Sequence, residues 1–371
     1  MKLRTAHILV LATCVLAAPS GAGTFDEFVL TDQTPTAPLA NPIPTSYAPR
    51  YISGFGVGTS FSVFFEDRNN AQAISSVTTS TGPEGFPVGA TATNIADTHF
   101  VIKDWPISIL GTPYAYRAWG AVGNNADHNF YVSNDLTTWT LVSTFTISNA
   151  ASFTNARGFV YYGFHDAILL NGTYYAWAES NGGQTMIVRS VNGDDVWEAF
   201  ASIGGSDPLD GPLQLPAGVL VGWTPTGNFF DLGLDRGMGK VYADPRDSDF
   251  YLAVNVAAQA SLAPAALEAA FINPANWTWH DDTTGPAAAP VLSETAEHDL
   301  RECWLVPRSS VSEGWVLMYD ADFGVDGGLA LGYATTAAAP APAAAIPMVS
   351  PLGFLVLILF LTLAGIATLR P

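Results

Sequence analysis

Between residues 48 and 336 apolar side chains recur at every second position in short runs broken by Gly, Pro, Asn and Asp, and helical spacing surfaces once. That alternation predicts half-buried strands. The unit is clearest where Ala167-Ile168-Leu169-Leu170 is followed by Asn171-Gly172 and then Thr173-Tyr174-Tyr175-Ala176-Trp177. Asn-Gly between two β-rich runs predicts a hairpin, because a type I′ turn needs positive φ at both central residues. A third run over 186–190 ends in a polar turn before Trp197.

Comparable units run from Tyr51 through 61–65 to 73–77, and from Phe100 through 114–122 to 130–140. Two more run from Lys240 through 250–256 to 276–279, and from Glu302 through 315–320 to 329–335. Five units at spacings of roughly 45–75 residues, none able to bury both faces alone, predict an all-β five-bladed propeller. A two-layer β-sandwich is the rival. The helical stretch PAALEAAF (264–271) reads as an insertion in the fourth unit.

The two ends break the pattern. Residues 1–23 carry Lys2 and Arg4, an apolar run over 8–18 and a small-residue exit at Ser20-Gly21-Ala22, which predicts a secretory signal. About 11 apolar residues fall short of a span. Residues 24–47 form a Pro/Thr-rich segment ahead of the propeller at 48–336, and an Ala/Pro spacer follows at 337–345. Within 346–371, residues 352–369 hold 18 uncharged positions, about 27 Å as helix, followed by Arg370. This predicts a single transmembrane helix with the body outside, in an exported and membrane-anchored or surface-delivered protein.

Net charge at pH 7 is −19, and the basic residues Lys2, Arg4 and Arg370 lie in the terminal segments, so the body is more acidic still. That excludes a general nucleic-acid binder, which needs a basic face, and leaves sugars open as partners. Cys14 lies in the signal, so Cys303 remains alone in the body. No zinc spacing, P-loop or dinucleotide fingerprint occurs, and no cofactor or metal is expected. Residues 320–328 (DADFGVDGG) alternate oxygens as a calcium loop does, but they lack a closing glutamate and read as an acidic turn.

The tail resembles the IPTL-CTERM sorting signal, a relative of PEP-CTERM, in its Ile346-Pro347 start, Gly353, Leu-rich run and Arg370. Met348-Val349 replace the usual Thr-Leu. The resemblance implies an exosortase-type membrane protease as a partner. In the body, Phe164-His165-Asp166-Ala167, the turn Ser133-Asn134-Asp135-Leu136-Thr137-Thr138-Trp139, Arg301-Glu302-Cys303 and Leu331-Gly332-Tyr333-Ala334-Thr335 resemble blade elements of five-bladed glycosidases of families 43 and 32.

That resemblance implies a glycoside hydrolase with Asp166 as base, Asp235 as modulator and Glu302 as acid, acting on an extracellular polysaccharide. Glycoside cleavage needs one protonated and one ionised carboxyl, and a nearby Asp235 would help Glu302 keep its proton. In the family the three acids sit on the first three blades, whereas here they fall on the third to fifth units. Asp97 is a spare candidate. His165 is a candidate hydroxyl partner, and Trp119, Trp223 and Trp304 are candidate sugar platforms, although a tryptophan in a blade more commonly fills the core. The alternative is a non-catalytic carbohydrate-binding or structural surface protein that keeps the scaffold.

Overall fold

The computed structural model describes residues 30–34, 49–57, 60–67, 73–79, 91–92, 95, 97–122, 127–150, 162–179, 185–203, 220–221, 238–243, 249–255, 257–258, 262–279, 292–293, 299–307, 315–322 and 329–336. Five four-stranded antiparallel sheets dominate, and a two-stranded hairpin accompanies them. Each sheet is one blade.

Blade 1 runs outward from Pro49–Val57 through Ser60–Asp67 and Ala73–Thr79 to Thr91–Ala92. Blade 2 runs from Thr98–Lys103 through Tyr116–Ala121 and Asp127–Ser133 to Thr140–Thr146. Blade 3 comprises Tyr162–Leu170, Thr173–Glu179, Thr185–Ser190 and Glu198–Ile203. Blade 4 comprises Leu220–Val221, Met238–Ala243, Phe250–Asn255 and Trp277–Trp279, with the helix Pro264–Phe271 inserted before its last strand. Blade 5 comprises Asp299–Pro307, Trp315–Asp322 and Leu329–Thr336, and its outermost strand is Leu30–Asp32.

The inner strands touch in a closed circle. Pro49–Val57 packs on Thr98–Lys103, that strand on Tyr162–Leu170, then Leu220–Val221, then Asp299–Pro307, which returns to Pro49–Val57. A ring of this kind excludes the sandwich.

The strand Leu30–Asp32 belongs to the ring, so the propeller includes residues ahead of 48. Leu30 pairs with Thr336 and Asp32 with Ala334, covering an edge that would otherwise be open. Tyr319 Oη donates to Asp32 Oδ1 (2.8 Å), and the Thr34 hydroxyl lies 2.9 Å from the same phenol. Gly332 is required beside it, because a Cβ there would overlap the Tyr319 ring. Sequence alternation missed this closure because three residues are too few to show a period.

Aromatic side chains weld the blades together. Between blades 2 and 3, Trp119 meets Phe130, Phe164 and Trp197 at 6.0, 5.9 and 5.7 Å between ring centroids. Between blades 1 and 2, Phe64, Phe100 and Trp139 form edge-to-face pairs. The turn over Ser133–Trp139 is built by its own side chains. Asp135 Oδ1 accepts the amides of Thr137 and Thr138, while Ser133 Oγ accepts those of Asp135 and Leu136. Those bonds, Thr138's first, hold the Asp135 carboxyl well below the usual range. Asn171 and Gly172 both take positive φ, as a type I′ turn requires.

With four antiparallel strands per blade, the inner strands all start on one face, here the mouth, and end on the other, the base. The inner hairpins and the connections from third to fourth strand therefore lie on the base. Contacts between loops agree: Arg117 reaches Asn192 and Gly193, and Asn171 reaches Glu268. No helix among the described residues is long and apolar enough to cross a membrane; residues 1–23, 337–345 and 352–369 lie outside the described residues.

Candidate functional site

Near the mouth the inner strands of blades 1, 2, 3 and 5 each carry a β-bulge against their second strand. The bulges fall between Arg50 and Ser53, Thr98 and Val101, Tyr162 and Asp166, and Leu300 and Glu302. Bulges bend a strand and re-aim its residues, and they gather at barrel rims and sites. His165 lies within the blade 3 irregularity and Arg301 within that of blade 5.

Asp166 and Glu302 follow these bulges directly. Asp166 pairs with Trp177, third from the mouth end of its strand, and Glu302 pairs with Asp320, likewise third from the mouth end. The backbone thus puts both acids at one level on two inner strands of the ring. Asp235 and Trp223 lie outside the described residues.

The tryptophan platforms need correcting. Trp119 is 0% exposed and donates its indole N–H to the Asp194 carbonyl at 2.8 Å. Trp304 is buried and donates to the Gly54 carbonyl at 2.9 Å. Both rings are wedges between blades with no face open to a sugar. A period of two fixes which side of a strand a residue takes, but not whether that side meets a neighbouring blade or the channel.

Two acids near the mouth escaped the sequence as site candidates. Glu66 and Asp320 are fully buried near the mouth ends of the second strands of blades 1 and 5. These blades adjoin, since Pro49–Val57 packs on Trp315–Asp322. The run Phe-Phe-Glu-Asp at 64–67, with acids on the end of an apolar strand, was the available signal. Residues 320–322, read from sequence as part of an acidic turn, instead complete the strand Trp315–Asp322. Glu302 is paired in register with Asp320 along the two strands.

Asp97 sits just before the inner strand of blade 2, buried at the seam with blade 1. Asn129 Nδ2 donates to both of its oxygens, at 3.1 and 3.3 Å, and Tyr131 is a second hydrogen-bond partner. Thr144 donates to Asn129 Oδ1, which fixes the amide's orientation. Burial outweighs these bonds and pushes the Asp97 carboxyl up to about 6. Gly120 leaves it room, since a Cβ there would collide with the carboxylate.

The base holds buried charge differently. Arg117 donates to the carbonyls of Trp105 (3.2 Å), Pro106 (2.8 Å), Asn192 and Gly193 (2.8 Å) and to Tyr174 Oη (3.3 Å). It pins blade 2 to blade 3 with no donor nitrogen left for a ligand. Lys103, at the base end of its inner strand, places Nζ 5.9 Å from the Trp105 ring centroid and 5.8 Å from that of Trp304, which belongs to blade 5.

Solved structures share this architecture. An alpha-L-arabinofuranosidase of Podospora anserina, in complex with cellotriose, superposes with a TM-score of 0.54 at 10% identity, covering 83% of this chain and 97% of that one. The catalytic domain of a GH62 alpha-L-arabinofuranosidase of Coprinopsis cinerea gives 0.53 at 10% identity with the same coverage of both chains. A GH62 hydrolase in complex with xylotriose gives 0.52 at 8% identity, again over 83% and 97%. The likeness is one of fold. No protein-family model matches the chain, and no curated protein does.

Proposed function

We propose that the protein is an exported glycoside hydrolase acting on an extracellular polysaccharide, with Asp166 and Glu302 as its working carboxyls. The observation that carries this reading is the shared level of those two acids, each directly after a bulge on the inner strand of a closed five-bladed ring. In the reaction, Glu302 protonates the glycosidic oxygen while Asp166 activates a water at the anomeric carbon, and Asp235 supports the proton on Glu302. The fold shared with arabinofuranosidases supports an arabinose- or xylose-containing polymer as the first substrate class to try.

Residues 1–23 direct export, 352–369 anchor the chain in the membrane, and 346–371 present it to an exosortase-type protease.

The test is sugar release from arabinan, xylan and fructan by residues 24–340. Glu302→Gln and Asp166→Asn are each expected to lower the rate by about 10²–10⁴-fold, with Thr146→Ala unchanged. Equal rates for wild type and Glu302→Gln would sink the assignment. A second reading, a non-catalytic sugar-binding surface protein, is favoured by the burial of Asp97, Trp119 and Trp304 in structural roles. It expects retention on a polysaccharide column with no sugar released.

A further inference from the structure

The base of blades 2 and 3 exposes apolar side chains that the fold does not use. Leu110 is fully exposed, Val191 and Val196 are 79% and 69% exposed, and Leu141 and Leu169 are 51% and 40% exposed. Among the described residues these are all the large apolar side chains classed as exposed. Topology sets every one at the base. Leu110 tips the hairpin that follows the inner strand of blade 2, and Leu169 nearly ends the inner strand of blade 3. Val191 and Val196 lie in that blade's third connection, and Leu141 opens the outer strand of blade 2 from the base side.

The Leu110 tip is a rigid finger. Its strands, Ile107–Ile109 and Thr112–Tyr114, form a separate ladder, and Arg117 grips the carbonyls at its root. Asn134 holds its return through the Ala115 amide and the Pro113 carbonyl. Leu110 takes φ 49 and Gly111 φ 84. Asn or Asp is the usual residue at the first of these positions. A leucine there adopts a left-handed backbone and gains no burial, so its value lies outside the fold.

The chain itself indicates what covers this patch. Leu329–Thr336, the third strand of blade 5, runs from mouth to base, so the strand ends on the base face at Thr336. Fifteen residues separate it from the uncharged segment 352–369.

From these observations we infer that the base of blades 2 and 3 docks on the bilayer surface that the tail anchors, holding the mouth toward the exterior. The inference rests on the anchoring reading proposed above. A linker of that length reaches at most about 50 Å when extended and keeps the base at an effective concentration on the order of millimolar near the lipid. A modest apolar patch then suffices. Asp104, Asp194 and Asp195 share this side of the ring, so the matching surface is zwitterionic lipid, and anionic headgroups repel it.

The test uses the full chain with Cys14→Ser in phosphatidylcholine vesicles, where the remaining native thiol, Cys303, is buried. A fluorophore is placed on Leu110→Cys, Val191→Cys or, at the mouth end of an outer strand, Thr146→Cys, and headgroup-nitroxide lipid is added. Quenching about twofold stronger at 110 and 191 than at 146 is expected, since interfacial groups sit about 5–10 Å into the headgroup region. Replacing half the lipid with phosphatidylserine should reduce that contrast. Co-flotation with equal quenching at all three sites overturns docking and leaves the anchor standing. Failure to co-float overturns the anchor, and docking with it.

Discussion

The mouth and the base of the ring bury charge by opposite means. At the base Arg117 is surrounded by four backbone carbonyls and a phenol, and its three nitrogens are all used in joining two blades. At the mouth the buried groups are acids, and Asp97 remains electrostatically uneasy despite Asn129 and Tyr131. The lesson is that burial alone does not mark a working group. Burial holds both groups off their ordinary pKa, Arg117 lowered and Asp97 raised, but the arginine has every nitrogen committed to carbonyls and a phenol that tie two blades together.

The hardest way to break this contrast is Arg117→Met. It strands buried carbonyls of both blades, and a loss of about 3–5 kcal/mol in urea unfolding is expected. If the loss is under about 1 kcal/mol, the blades are held by their aromatic seam and the base has no special clamp. Gly332→Ala, which drives a methyl into the Tyr319 ring and disturbs the clasp on Asp32, is expected to lower stability by about 1–3 kcal/mol.

Asp97→Asn sharpens the mouth side of the comparison. The folded carboxyl titrates near 6 against an ordinary 3.8, so the native state binds the extra proton more tightly. Stability from this group is complete below about pH 3.8 and is lost as pH rises to 6, by up to about 3 kcal/mol. The variant should gain on wild type across that window and hold the gain at pH 7, as followed by urea midpoints at successive pH values. A constant difference would mean that Asp97 titrates normally. The smallest effect belongs to Arg189 and Glu198, which pair at 2.5 Å with both side chains 38% exposed at the rim of the base. Glu198→Gln should cost less than about 1 kcal/mol, and less again in high salt.

Much of the ring could be read from the chain because its signals are local. Asn171-Gly172 and the turn over Ser133–Trp139 each encode their own geometry, and the helix Pro264–Phe271 lies where its spacing put it, with proline at its start. What stayed hidden was relational. The two-residue inner strand Leu220–Val221 and the three-residue Leu30–Asp32 acquire meaning only from their partners, Val241 and Lys240 in one case and Ala334 to Thr336 in the other. The Leu110-Gly111 turn hid for a different reason: leucine is not a turn-former, and only its φ reveals it. For the site, the strands bearing Asp166 and Glu302 were legible and Asp97 could be named as a spare candidate, but the buried acids Glu66 and Asp320 required knowing which blade faces which.

The clasp between Leu30–Asp32 and Leu329–Thr336 joins the first described strand to the last. A chain threaded outward from its amino end would deliver Leu30 early and then leave it without a mate until some three hundred more residues had emerged. Closure of the circle therefore cannot precede synthesis of Leu329–Thr336.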